Sequence, residues 1–254
     1  MDESRQLLVV ELGLRAYAEA LEIQREAARK RITGEIDQDM LLLVEHPHVI
    51  TLGRSTKLVN LVASREDLEA RGIELFEVER GGDVTYHGPG QLVGYPIIDL
   101  KRHRQDLHWY LRQVEEALIT ALRRFGIEGA RSPGFTGVWV EGGLGGATAA
   151  PRSEGQEAIS PRARKIASIG VHARDWVTWH GFALNVTTDL ARFDAIVPCG
   201  ITDVTMTSIE RELPHDSAVD MVATRERVVE AFGEVFGLQP RPFPEGLNLG
   251  RSMG

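Results

Sequence analysis

Residues 80–100 read RGGDVTYHGPGQLVGYPIIDL, and no other stretch restricts this chain so tightly. A glycine pair follows Arg80, the pair Tyr86-His87 comes next, and Gly88-Pro89-Gly90 leads straight into an apolar, strand-like run. Glycines at this density let the backbone approach a ligand closely, because they lack the Cβ that would block it. Tyr86 and His87 sit between the two glycine clusters, where their polar tips are placed to line one wall of a pocket. A tight turn joining two strands would account for two of the glycines. It would not account for the basic residue, the aromatic pair and the second glycine-proline cluster together.

The rest of the sequence sets the frame for that block. The chain has 254 residues, 43% hydrophobic and 26% charged, an ordinary balance for a globular protein with a sizeable core. No apolar run approaches the length of a membrane span, and the N-terminal MDESRQLLVVE has no positive segment of the secretory kind. A single cysteine excludes an internal disulfide and suits a reducing cytoplasm. The formal net charge of -8 argues against general nucleic-acid binding.

Hydrophobic spacing places the elements. Residues 14–32 carry Leu14, Tyr17, Leu21 and Ala28 at helical intervals, with Gly34 as a stop. Residues 40–45 form a short continuous apolar run ended by His46-Pro47, as expected of a buried strand. Ser64-Arg65-Glu66-Asp67 is a capping box for a short helix that Gly72 closes. Residues 92–100 read as a strand. Asp106 then caps an amphipathic helix with Leu107, Tyr110, Leu111, Val114, Leu118, Leu122 and Phe125 on one face and Gly126 at its end. Residues 135–140, 166–172 and 182–186 read as strands, and 219–236 as a last helix. Because strands and helices do not alternate regularly, the expectation is an α+β fold rather than a doubly wound sheet. It covers residues 1–254 as a single domain. Within it, 141–164 is a mobile excursion rich in Gly, Ala, Ser and Pro, and the tail after Leu238 is irregular.

Cys199 lies between Pro198 and Gly200, on a turn where sulfur could be presented to a pocket. A lone cysteine is otherwise most often a small buried hydrophobe. Lys165, beside Arg162 and Arg164, reads on composition as a solvated lysine. The eight histidines supply a rival partner for the thiol. His87 is the best placed of them, and His172 or His180 could also line a site. His46 and His48 look like turn residues, and His103 and His108 like surface ones. No pair has a metal-ligand spacing such as HExxH, so no metal is expected. Gly88, Gly90 and Gly94 have the wrong spacing for a dinucleotide fingerprint, and a strand follows them.

Three segments carry a family resemblance: the block at 80–100, Lys165-Ile166-Ala167-Ser168-Ile169-Gly170-Val171, and Pro198-Cys199-Gly200-Ile201. In this order they resemble the lipoate-biosynthetic octanoyltransferases, over most of the chain from Leu41 to Ile209. The resemblance implies a biotin/lipoate ligase-like catalytic domain, with a mixed, largely antiparallel sheet and flanking helices. It implies transfer of an octanoyl group from octanoyl-acyl carrier protein to a lysine of lipoyl domains, those of 2-oxoacid dehydrogenases and the glycine cleavage H protein. Cys199 would be the acyl-thioester nucleophile and Lys165 its partner, since a lysine in an apolar pocket can accept the thiol proton. Arg80, Gly81, Gly82, Asp83, Val84, Thr85, Tyr86 and His87 would line the substrate site. So would Ser168, Ile169 and Gly170, with Gly181, Phe182 and Ala183. No cofactor is implied. The alternatives are an ATP-dependent lipoate or biotin ligase of the same fold, a non-catalytic acyl-binding homologue, and a thioesterase. Acyl carrier proteins are acidic as a class, so an acidic chain must meet one through a local basic patch. Candidates are residues 29–31, Lys101-Arg102-His103-Arg104, and Arg162 with Arg164; the second is favoured because it follows the strand leaving the glycine block.

Overall fold

The apolar run that begins at Met40 is buried on both of its faces, and the fold is arranged around it. The computed structural model describes residues 5–141, 163–200, 204–214, 217–244 and 249, with Cys199 described by its backbone alone. The chain begins with β1 (Gln6–Leu14), α1 (Tyr17–Thr33), β2 (Asp39–Glu45) and β3 (Val49–Leu52). Then come α2 (Arg65–Ala70), β4 (Glu74–Glu77), β5 (Val84–His87), β6 (Gln91–Ile97) and α3 (Leu107–Arg123). The second half holds β7 (Gly129–Ser132), β8 (Phe135–Glu141), β9 (Ala163–Arg174), β10 (Val177–Asn185), β11 (Thr205–Met206), α4 (Ile209–Glu212), α5 (Met221–Phe236) and β12 (Gln239–Pro242).

Two sheets result. The larger runs β12-β1-β2-β6-β10-β9-β8-β7, with β11 added beside β9; the smaller runs β4-β3-β5. From β2 through β6, β10, β9 and β8 to β7 every neighbour is antiparallel, whereas β12 with β1, β1 with β2, β11 with β9, and β3 with β4 are parallel. This is the mixed, largely antiparallel α+β fold expected. Side chains alternate across a strand. Leu41 and Leu43 therefore pack with α3 and α5 on one face, while Met40, Leu42 and Val44 pack with Ala20, Ile23 and Ala27 of α1 on the other. Helices on both faces explain why residues 40–44 of β2 are all apolar.

The helix boundaries follow their caps. Ser64 and Asp67 form the capping box on α2, Asp106 accepts from the Trp109 N–H at 3.0 Å, and Asp220 accepts from Val222 and Ala223. Gly34 and Gly237 close α1 and α5 in the left-handed region. Three expectations need correction. The first helix starts at Tyr17, because Leu14 ends a strand that the sequence reading missed, and its side chain is exposed. The tail is not wholly irregular: Gln239–Pro242 forms an edge strand along β1, a position where prolines without N–H groups are tolerated in a sheet. His46 is no turn residue but fully buried, with Nδ1–H donating to Arg15 O at 2.8 Å and Nε2 accepting from Tyr95 Oη at 2.6 Å. Of the expected excursion at 141–164, residues 142–162 lie outside the described residues. Among those described, no helix is long and apolar enough to cross a membrane.

Candidate active site

β5 belongs to the small sheet and β6 to the large one, so Gly88-Pro89-Gly90 carries the chain across the seam between them. A cavity of about 200 Å³ lies there. From the glycine-rich block, Arg80, Gly82, Asp83, Val84, Thr85 and His87 line it. Arg80 is held by Thr51, donating to its carbonyl at 2.7 Å and to its hydroxyl at 2.9 Å. Gly81 does not reach the cavity; its N–H donates to Val171 O at 2.8 Å and staples the block to β9. Tyr86 is also placed elsewhere, contrary to expectation. Alternation along β5 turns it away from the side of Thr85 and His87, so that it packs edge-on against Phe193 and its hydroxyl meets His48 at 2.7 Å.

The opposite wall is a ladder. Ser168 pairs with Ala183, Ile169 with Phe182 and Gly170 with Gly181, so two segments singled out separately in sequence are cross-strand partners, and all six line the cavity. The Phe182 ring lies over Gly94 of β6, where any Cβ would collide with it.

Lys165 also lines the cavity and is 1% exposed. Its backbone pairs with Trp139 of β8 on one side and Met206 of β11 on the other. Nζ donates to Thr136 O at 3.1 Å and stands 5.1 Å from the centre of the Trp139 ring. Gly137 makes this possible. It takes a φ of 130°, and a Cβ there would meet Lys165 Cε at 2.8 Å. Cys199 belongs to a single 3-10 turn, Pro198–Gly200; its side chain lies outside the described residues. The turn is tied down by Val197 N–H donating to Asn60 O at 2.7 Å. A Cβ on Gly200 would meet Asp83 Oδ2 at 2.5 Å and Asn60 Nδ2 at 2.8 Å. The cysteine-bearing turn therefore abuts Asp83, itself a cavity residue.

Sequence reasoning missed Tyr17, Val93, Tyr95, Gly134, Phe135 and Thr136, which also line the cavity. Nothing in the sequence marks Tyr17, the first residue of α1, as a site residue. Of the two histidines the sequence offered for the site, His180 lines the cavity, with a φ of 55°, and His172 does not. Its N–H donates to Gln24 Oε1 at 3.1 Å, and Nε2 stands 3.8 Å from Glu79 Oε1, beyond hydrogen-bond length. Burial holds the His180 imidazole below its ordinary value, while His180, Arg25 and Trp179 hold Glu79 well below the usual carboxylate range. Burial, with His46 and Arg80 nearby, pushes His87 down to about 3, and its Nδ1–H donates to Gln91 Oε1 at 2.8 Å. His103, expected at the surface, instead binds Asp39 at 2.8 Å; His108 is exposed.

The expected basic patches are answered internally. Arg29 pairs with Glu26 and Glu35, and Arg31 is buried against Asp39 and Asp99. Lys101, Arg102, His103 and Arg104 meet Asp99, Asp37, Asp39 and Asp106, and none lines the cavity. Arg164 pairs with Glu212, and Arg162 lies outside the described residues.

The mixed sheet flanked by helices on both faces is a fold this chain shares with solved lipoate ligases. The fold matches lipoate-protein ligase A in a structure bound with ATP, with a TM-score of 0.68 at 18% identity over 94% of this chain and 89% of that one. It also matches the bipartite lipoate protein ligase of Thermoplasma acidophilum, with a TM-score of 0.65 at 16% identity over 94% and 88%. The family model of the lipoyl protein ligase A/B catalytic domain covers residues 16–233. Curated relatives include the octanoyltransferase of Acidobacterium capsulatum, 47% identical over 92% of this chain and 91% of the relative, and that of Rubrobacter xylanophilus, 48% identical over 89% and 91%. The chain belongs to the lipoyl protein ligase A/B family and, within it, to the octanoyltransferases.

Proposed function

We propose that this protein is an acyltransferase that moves an octanoyl group from octanoyl-acyl carrier protein to a lysine of lipoyl domains, the first step of protein lipoylation. The observation that carries this is the gathering, at one cavity, of the buried Lys165, the ladder of Ser168, Ile169 and Gly170 against Ala183, Phe182 and Gly181, and the wall of Arg80, Gly82, Asp83, Val84, Thr85 and His87. The 40–48% identity to octanoyltransferases supports the choice of acyl group.

In the first step the Cys199 thiol gives its proton to Lys165 and the thiolate attacks the donor thioester carbon. The carrier's pantetheine sulfur leaves and takes up that proton, so one thioester replaces another. In the second step a lipoyl-domain lysine, as the free amine, attacks the acyl-enzyme. The new amide nitrogen loses a proton, and Cys199 leaves as a thiolate that is reprotonated. Apolar cavity residues such as Ile169, Phe182 and Val93 hold the hydrocarbon chain, and burial of about 25 cal/mol per Å² of apolar surface rewards a fitted chain. The first step is nearly neutral, and amide formation drives the second. No nucleotide enters either.

Intact-mass spectrometry tests this directly. Mixing with octanoyl-acyl carrier protein should add one octanoyl group, and adding a lipoyl domain should move it there without ATP. Failure to gain the group, or a transfer that requires ATP, would sink the proposal in favour of a ligase. Release of free octanoate instead would identify a thioesterase.

A further inference from the structure

Three of the exposed large hydrophobic residues fall within five positions: Leu58 is 76% exposed, Val59 79% and Val62 62%. They are not mobile decoration. Leu58, Val59 and Asn60 form a 3-10 turn, closed by Asn60 N–H donating to Lys57 O at 2.8 Å and Leu61 N–H donating to Leu58 O at 3.1 Å. Asn60 and Leu61 face inward and fix it. The Asn60 carbonyl receives Val197 N–H, its side chain donates to Asp83 Oδ2 at 2.6 Å, and Leu61 bridges Ile196. With those anchors the turn cannot roll its apolar side chains under cover, so their exposure is built in. Large apolar groups exposed side by side are one mark of a contact surface.

The turn also belongs to the rim of the cavity. Arg54 N–H donates to Arg80 O at 3.0 Å and Ser55 N–H to Gly82 O at 3.1 Å, and both acceptor residues line the cavity. The same rim holds the Cys199 turn through Asn60. Arg54 and Lys57 are exposed beside the apolar residues and take part in no ion pair among the described residues, unlike the basic clusters at 29–31 and 101–104. On a chain of net charge -8, these two are cations left available to an acidic partner.

We propose that Leu58, Val59 and Val62, flanked by Arg54 and Lys57, form the docking surface for the acidic carrier protein that delivers the acyl group. The inference rests on the proposed transferase reaction. Position selects the donor over the acceptor. None of Lys57, Leu58, Val59 or Val62 lines the cavity, so a protein seated on them rests on the rim, outside the cavity itself, and its cargo must reach over that rim. A long pantetheine arm does that, whereas an acceptor lysine has only its own side chain and must bring its protein close to the thioester.

The test compares the wild type with Leu58→Ser/Val59→Ser and with Lys57→Glu in three reactions. Acylation by octanoyl carrier protein should slow about tenfold or more in both variants. Acylation by octanoyl-pantetheine, which needs no docking, should stay at the wild-type rate. Transfer from preloaded acyl-enzyme to a lipoyl domain should also be unchanged. Unaltered carrier kinetics would overturn the assignment, as would equal losses with both donors, which would mean pocket damage. A loss confined to the lipoyl-domain reaction would give the surface to the acceptor instead and likewise overturn it. If the wild type is acylated by neither donor, it is the transferase reading itself that fails.

Discussion

The Lys165 backbone is held by pairing on both flanks, to β8 and to β11, while its buried side chain bonds to Thr136 O and faces the Trp139 ring. Substitution there should leave the strand pairing intact, and the urea midpoint of each variant separates any loss of packing from the change in chemistry. Lys165→Ala should abolish acyl-enzyme formation and shift the midpoint of Cys199 alkylation against pH upward. Lys165→Arg keeps a cation that stays protonated, so rescue by arginine would indicate that the lysine acts as a charge and not as a proton acceptor. An unmoved alkylation midpoint in both variants would remove Lys165 from the mechanism. Cys199→Ser should form no acyl-enzyme while unfolding at the wild-type urea midpoint. The same scale shows where a missing Cβ matters. Gly94→Ala drives a methyl into the Phe182 ring, an overpacking that costs about 1–3 kcal/mol. Urea denaturation should read that loss, and octanoyl acceptance should fall with it, since Phe182 lines the cavity.

The helices are held by caps that each serve one element. Asp106 accepts the Trp109 N–H at the start of α3, so Asp106→Ala should lower stability by about 1 kcal/mol without touching turnover; a loss of activity beyond that of stability would show that α3 does more than support. These caps were legible because they are local: an Asp or Ser directly before an apolar period names its own partner a few residues on. The glycine block, Lys165 and the two strands of the ladder were legible from the family motifs they carry. What escaped depended on distant pairing. Residues 6–14 contain no helical period, and only the neighbouring β2 and β12 make them a strand. Pro240 and Pro242 argue locally against a strand, yet they are tolerated because the sheet ends there. Tyr86 was misplaced for a related reason. The sequence puts it between two glycine clusters, but the pairing of β5 with β3 decides which side of the strand it faces.

Across the whole molecule, acid should act through buried imidazoles. His46 is held down to about 4 and His87 to about 3, both by burial, from an ordinary value of 6.5. Their folded values lie below the unfolded ones, so the unfolded chain binds more protons as pH falls. Their contribution is complete above about 6.5 and is lost progressively toward pH 4, on the order of 3 kcal/mol for His46 alone. Urea midpoints measured from pH 8 to pH 4.5 should fall through that window, and a flat profile would contradict the buried neutral histidines. Glu79, held below the carboxylate range, adds a further loss only under more acidic conditions. Finally, the two sides of the cavity differ in stiffness. The wall from Ser168 to Gly170 is laddered to β10 in the middle of the large sheet, and β10 is in turn laddered to β6. Those of its amides that bond to β10 can exchange hydrogen only when the sheet itself opens. Gly81, Gly82 and Asp83 lie instead in bends, held by separate hydrogen bonds to Val171, Ser55 and Asn60. One side of the cavity is thus an anvil and the other a spring. Accommodation of longer or shorter acyl chains should register as altered exchange on the bends alone, with the ladder keeping its protection throughout.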